Sequence, residues 1–311
     1  MNSRLNRSLV KLLAAHVSNK LGVSPELVER DVILHALLRG IYDNEELGEK
    51  LVFRGGTCLV KCHLGYYRFS EDLDFVSAES PKHASETREL IRNSITPLLD
   101  MLGFEKEEEK WFGTRKRKLW VIKYRDKETG ALFKLEVLFG EEQLFDYVST
   151  TARTLLKWQR INLPDIPKPL LEVYSSLNVT AYSLEEILAE KFRALLTRKE
   201  LHARDIYDMY MITTRKGLEL RNIEEGAVRK ILSTLQRFGK DRQTNLCDTL
   251  KKRSPKDIKA ITFEKESYLF LKPPKIPSSF LEELAETSKR ISGRIMEYCE
   301  HEVYNKDKQG S

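Results

Sequence analysis

Phe53-Arg54-Gly55-Gly56-Thr57, followed after a short run by Arg68-Phe69-Ser70-Glu71-Asp72-Leu73-Asp74-Phe75, sets a glycine turn ahead of two carboxylates at alternate positions. In an extended strand successive side chains alternate faces, so Asp72 and Asp74 share one face while Leu73 and Phe75 point into the opposite layer. Two aligned carboxylates form a place for Mg²⁺, which takes hard oxygen ligands and is commonly held by one or two carboxylates together with substrate phosphates. Gly55 and Gly56 let backbone N–H groups approach those phosphates where a Cβ would obstruct them, and Thr57 adds a hydroxyl donor. An acidic turn beside an edge strand would also carry Asp-x-Asp. The upstream Gly-Gly-Thr turns the reading toward a site for metal ions and a nucleoside triphosphate.

Four stretches, in order across the middle half of the chain, resemble the AbiEii/AbiGii-type nucleotidyltransferases of the polymerase-β-like superfamily. They are Phe53-Arg-Gly-Gly-Thr-Cys-Leu-Val-Lys61, Arg68-Phe-Ser-Glu-Asp-Leu-Asp-Phe75, Ala189-Glu-Lys-Phe-Arg-Ala-Leu195 and Ala203-Arg-Asp-Ile-Tyr-Asp208. Glycine plus Asp-x-Asp is shared by the superfamily; the later two stretches are more specific to this branch. Members are toxins of toxin–antitoxin and phage-abortive systems. The resemblance implies an α+β fold, with a polymerase-β-like core built on a small mixed sheet flanked by helices, and a C-terminal helical bundle. It implies Mg²⁺, with Mn²⁺ as an alternative, and a nucleoside triphosphate as substrate. It assigns Asp72, Asp74, Lys191 and Asp205 to catalysis, and Gly55, Gly56, Thr57, Ser70 and Lys191 to nucleotide binding. Its acceptor would be RNA, foremost the 3′ end of tRNA, and its partner a cognate antitoxin.

The later stretches carry their own physical argument. Ser183 followed by Glu186 reads as a capping-box start, and Leu184, Ile187, Leu188, Phe192, Leu195 and Leu196 continue as a helical stripe. Lys191 falls inside that stripe, and because an unpaired buried ammonium is costly it should meet carboxylates or substrate phosphates. A lysine snorkelling from the stripe's edge is the competing reading. Asp205 and Asp208 share a side with Leu201, Met209 and Ile212, so both need cationic partners. Arg204 or Lys191 could supply one, which would make the acids members of a structural ion pair.

The superfamily places a third carboxylate on a neighbouring strand, and Glu136 is the candidate. The run Phe133-Lys-Leu-Glu-Val-Leu-Phe139 alternates, with Lys134, Glu136 and Leu138 on one face and Leu135 and Val137 on the other. Glu136 would then join Asp72 and Asp74 as a metal ligand; an exposed cross-strand Lys–Glu face would look the same.

At 311 residues the chain has room for two domains, read as 1–175 with leading helices and 176–311 as the helical part that contributes Lys191 and Asp205. Candidate strands are 51–53, 72–76, 120–125 and 133–139, with a helix over 81–102. Ser24-Pro25 opens an N-terminal helix. Pro164, Pro167 and Pro169 punctuate the exit from the core, and 305–311 reads as a frayed tail. No apolar run approaches transmembrane length and the N-terminus lacks a signal-peptide core, so a cytoplasmic protein without a membrane partner is expected. Cys58, Cys62, Cys247 and Cys299 are scattered, which predicts free thiols in a reducing compartment. Cys58, Cys62 and His63 lack the separated ligand pairs of a structural zinc site.

The net charge of +6 is unevenly spread. Lys110, Arg115, Lys116, Arg117, Lys118 and Lys123 interleave with Trp111, Phe112 and Trp120, and a second basic region runs over 229–253. Basic groups mixed with aromatics suit a polyanion with unstacked bases; the competing reading is a solvated β-hairpin with a charged outer face. Two other functions stay open: the same transfer to a protein or small-molecule hydroxyl, or a non-catalytic nucleotide- or RNA-binding regulator.

Overall fold

The computed structural model describes residues 5–162, 167–236 and 240–304. The expected tail over 305–311 and Pro164 lie outside them. The chain divides into two compact units, one of Met1–Glu141, Tyr147–Tyr182 and Leu269–Lys272, the other of Glu142–Asp146, Ser183–Tyr268 and Pro273–Ser311.

The first unit begins with helices α1 (Arg7–Leu21), α2 (Pro25–Tyr42) and α3 (Glu45–Lys50). Asn6 caps α1 by accepting from the Leu9 amide, and Asn44 caps α3 by accepting from the Leu47 amide. Ser24 precedes α2 as expected, with Pro25 in its first turn, but its hydroxyl bonds Glu26 and leaves the helix amides alone. Strand β1 (Leu51–Arg54) runs into the short helix α4 (Gly55–Cys58), and β2 (Leu73–Ser77) follows. Helix α5 (Ala84–Met101) leads into β3 (Phe104–Gly113), β4 (Lys118–Asp126), β5 (Leu132–Phe139) and β6 (Val148–Ala152). Two short helices, α6 (Leu155–Gln159) and α7 (Lys168–Val173), precede β7 (Leu177–Ala181).

The seven strands among the described residues form one mixed sheet, in the order β3-β4-β5-β2-β1-β7-β6. β2 pairs parallel with β5 and β1 parallel with β7, while the other neighbours are antiparallel. One face is apolar: Phe53, Phe75, Trp120, Leu135, Val137 and Phe139 are all buried on it. Burying such side chains contributes about 1.5–3 kcal/mol each, which is what holds the helices against this layer. Asp72 is not in β2, which starts at Leu73, but its carboxylate is tied to β5, as described below.

Three strands went unread in the sequence. β3 is Glu-Lys-Glu-Glu-Glu-Lys for most of its length and looks like a charge run; an edge strand is where such charges belong, since they discourage pairing with another chain. β6 and β7 have five residues each. β7 also lies beyond the expected boundary at 175/176, yet its register with β1 makes it part of the first unit's sheet.

The second unit is helical, comprising α8 (Leu184–Thr197), α9 (Ala203–Lys216), α10 (Glu224–Gln236), α11 (Lys240–Lys252), α12 (Pro255–Lys259) and α13 (Ser278–Tyr298). Cys247 on α11 and Cys299 just past α13 are joined by a disulfide, with Cα atoms 6.0 Å apart. This corrects the expectation of four free thiols: a separation of 52 residues hides the pairing from the sequence, and packing brings both buried sulfurs together. Cys58 and Cys62 remain free. No helix among the described residues is long and apolar enough to cross a membrane.

Candidate active site

The first unit gathers its carboxylates by strand register. Asp74 on β2 stands opposite Glu136 on β5, and on its other side opposite Arg54 on β1. The three therefore share the polar face of the sheet. Asp72, two residues before Asp74, accepts a hydrogen bond from the Lys134 amide at 3.2 Å, which fastens it to the start of the same face. The Lys134 ammonium lies 2.8 Å from Glu136 Oε1 and 3.7 Å from Asp72 Oδ2. Burial opposes the charge on Lys134, and Asp72, Glu136 and Asp74 outweigh that, holding it above the ordinary lysine range.

Asp74 bears the strain of this crowding. Burial pushes its carboxyl up, Glu136 and Asp72 push further, and Arg54 and Lys134 only partly offset them, so it titrates at about 6. A pair of hard oxygen donors in negative charge that is only partly offset suits a divalent cation, and the lysine ammonium already sits as a monovalent stand-in between Glu136 and Asp72. Asp72 and Asp74 thus fit a metal, with Glu136 beside them. Among the described residues no three His, Cys, Asp or Glu side chains converge as a ready-made cage, so substrate oxygens would have to complete the coordination.

The glycine turn is built against these acids. Gly55 has φ 77°, in the left-handed region, and a Cβ placed on it would fall 2.2 Å from Asp74 Oδ2. A Cβ on Gly56 would fall 2.6 Å from Arg68 Nη2 and 3.0 Å from Ser70 Oγ. Position 55 therefore requires glycine for close approach, while a side chain at 56 would have to displace the ends of Arg68 and Ser70, which stand at the turn. Thr57 is buried and donates its hydroxyl to the Asp72 carbonyl, so it pins the carboxylate segment to the helix start.

A second polar network in this unit was missed. Lys61, fully buried, donates to Asp31 Oδ1 at 2.7 Å and to the Tyr66 hydroxyl at 2.6 Å, while the Tyr66 and Tyr174 hydroxyls also donate to Asp31. Burial lowers the Lys61 ammonium below its ordinary value despite Asp31. The signal was a lysine inside the apolar run Leu59-Val60-Lys61, the same signal used for Lys191.

In the second unit Lys191 is buried on α8 and meets two acids of α9, Asp205 Oδ1 at 2.6 Å and Asp208 Oδ2 at 2.5 Å. Arg198 adds a bond to Asp205 Oδ2 at 2.6 Å. Burial would raise the Asp205 carboxyl, but Lys191, Arg198 and Arg204 overcome it and hold it well below the usual carboxylate range. Lys191 is thus paired within the protein, as the ion-pair reading of the sequence had it, while Arg204 goes to Glu266. The capping box on α8 is half made. Ser183 accepts from the Glu186 amide, but the Glu186 carboxylate takes the amides of Leu144 and Phe145 and the buried Lys230 ammonium. The basic region over 229–253 is reduced accordingly: Lys230 is turned inward and Arg253 donates to the Arg198 carbonyl.

Residues 36–284 match the family described as nucleotidyl transferase AbiEii toxin, type IV TA system. The chain belongs to this AbiEii family. It is accordingly a nucleotidyltransferase of the toxin–antitoxin class, and AbiEii membership implies a nucleoside triphosphate as substrate and an antitoxin as partner. Among solved structures the chain is similar to JHP933 from Helicobacter pylori, at 17% identity and TM-score 0.42, covering 92% of this chain and 99% of that one. It is similar also to a proposed nucleotidyltransferase from H. pylori, at 18% identity and TM-score 0.39, covering 90% and 100%. No curated protein matches.

Proposed function

We propose that the chain transfers a nucleoside monophosphate from a nucleoside triphosphate to an RNA acceptor, the 3′ end of a tRNA, with Asp72 and Asp74 holding Mg²⁺ or Mn²⁺. The observation that carries this reading is the register that stands Asp74 beside Glu136, against a glycine turn with no room for a side chain. When bound, the divalent ion neutralises the triphosphate and stabilises charge on the α-phosphate. The acceptor hydroxyl oxygen forms a bond to the α-phosphorus, the bond from that phosphorus to the bridging oxygen breaks, and pyrophosphate leaves. Glu136 takes the hydroxyl proton. The amides of Gly55 and Gly56, with the Ser70 hydroxyl, bind phosphate oxygens.

Within the second unit the reading keeps Lys191 as the cation that offsets negative charge on the nucleotide and Asp205 as the group that orients it. Nucleoside triphosphates and tRNA are cytoplasmic, which supports a cytoplasmic location for the protein. The test is incubation of the protein with total tRNA, Mg²⁺ and each labelled triphosphate in turn, beside Asp74→Ala. Label on tRNA from the wild type alone supports the reading. Label on protein instead, or none, overturns the RNA acceptor.

A further inference from the structure

The polar face of the sheet does not end at Glu136. Reading outward from Asp74, the register continues through Glu136 on β5 and Val121 on β4 to Lys110 on β3. The next row runs from Val76 through Leu138 and Leu119 to Phe112. The row on the other side carries Lys134, Lys123 and Glu108. Phe112 thus lies on the same face as the carboxylates, three strands away, and it is 48% exposed. Trp111 beside it turns to the opposite face, where it packs on Trp120 and Phe139, so the two neighbouring aromatics differ in kind.

The charge around Phe112 is positive. Lys110 and Lys123 both hold Glu108, the latter at 2.7 Å, and Arg117 holds Glu141 at 2.7 Å. Two acids thus meet three of the six cations, and Arg115 and Lys116 stand exposed at the hairpin turn. At about 4.8 Å between strands and 3.3 Å per residue along them, Phe112 is roughly 15 Å from Asp74. A few nucleotides of single strand cover that distance.

We infer that Phe112 is a stacking platform for the single-stranded acceptor RNA, receiving a base a few nucleotides before the 3′ end while Arg115 and Lys116 attract the backbone. This rests on the RNA-acceptor reading above and deepens it. An exposed aromatic face continuous with the reacting groups has little use for a duplex, whose bases are already stacked, and suits a splayed strand. Phe112 is a positioning residue: it touches acceptor, away from the reacting atoms.

The test is steady-state kinetics of nucleotidyl transfer to RNA hairpins bearing single-stranded 3′ overhangs of one or four nucleotides, for wild type, Phe112→Ala and Phe112→Trp. Unfolding temperature confirms that the variants fold, as an exposed position should allow. Phe112→Ala is expected to raise the KM for the long-overhang RNA about tenfold, as loss of one stacked base would. The KM for triphosphate and the short-overhang kinetics should stay unchanged, and Phe112→Trp should restore the wild-type value. An unchanged long-overhang KM in Phe112→Ala overturns the inference, as does a loss confined to binding of purified antitoxin. If wild type itself labels no RNA, the acceptor reading has failed and the inference falls with it, and that outcome is read in the wild-type arm alone.

Discussion

The Asp74 carboxylate occupies the space that a side chain at position 55 would need, since a Cβ on Gly55 lies 2.2 Å from Asp74 Oδ2. Gly103 supplies the control: its φ of 79° matches the 77° of Gly55, but nothing lies within 4 Å of its Cβ position. Gly103→Ala should therefore cost only the left-handed strain, about 1–2 kcal/mol. Gly55→Ala should cost that and displace Asp74, abolishing nucleotidyl transfer. Equal effects of the two substitutions on activity would remove the argument for the Gly55–Asp74 contact.

Asp74 titrates at about 6 in place of an ordinary 3.8, so its effect on stability has a definite sign. The unfolded chain loses this proton first as pH rises, so the stability present below 3.8 is lost as pH passes through about 6. Asp74→Asn should accordingly stabilise the metal-free protein at neutral pH, by about 1–3 kcal/mol at 1.36 kcal/mol per pH unit with allowance for partial exposure. The gain should vanish below pH 4. Urea unfolding at pH 4 and pH 7.5 measures it, and Mg²⁺ or Mn²⁺ should raise the unfolding temperature of wild type but not of the variant. A pH-independent difference would contradict this account.

Removing the Lys191 ammonium leaves Asp205 and Asp208 buried with one cation fewer. Lys191→Met is expected to destabilise by about 3–5 kcal/mol, as breaking one partner of a buried pair does. Adding Asp208→Asn should recover part of that. The low-lying Asp205 carboxyl adds acid sensitivity: its contribution is present above the ordinary carboxylate range and is lost as pH falls through its depressed value. Chemical denaturation of the single and double variants decides, and a double variant no better than the single would exclude charge imbalance as the cause.

The Cys247–Cys299 bond predicts a thiol count. Unfolded without reductant, the protein should show two reactive thiols, those of Cys58 and Cys62, and four after reduction. Cys247→Ser should lower stability by about 2–4 kcal/mol, the usual scale for a disulfide closing a long loop. Four thiols before reduction would mean the bond is not made in solution.

The glycine turn, the Asp-x-Asp pair and the Lys134–Glu136 face were legible because each is local: spacing within one strand fixes which side chains align. The burial of Lys191 with Asp205 and Asp208 was legible for a related reason, polar groups standing on apolar helix faces. What could not be read was long-range. That β2 and β5 run side by side in parallel, setting Asp74 against Glu136, was expected only through the resemblance, because it depends on a crossover of dozens of residues that no local pattern specifies. Thr57 could be seen as a hydroxyl near phosphates, but its commitment to the Asp72 carbonyl required the fold. The Asp31–Lys61 pair, thirty residues apart, was hidden in the same way.

The chain passes between its two compact units five times, at 141/142, 146/147, 182/183, 268/269 and 272/273. No single cut in the gene can therefore yield both as intact fragments. A fragment ending at Tyr182 would strand residues 142–146 without Glu186, the acceptor of the Leu144 and Phe145 amides, and would lose Phe270, which bridges to Arg68. Such a chain is a weave rather than two beads on a string, so evolution can have exchanged neither unit by simple fusion, and any shortened form should be selected against as a folding failure before it is tested as an enzyme.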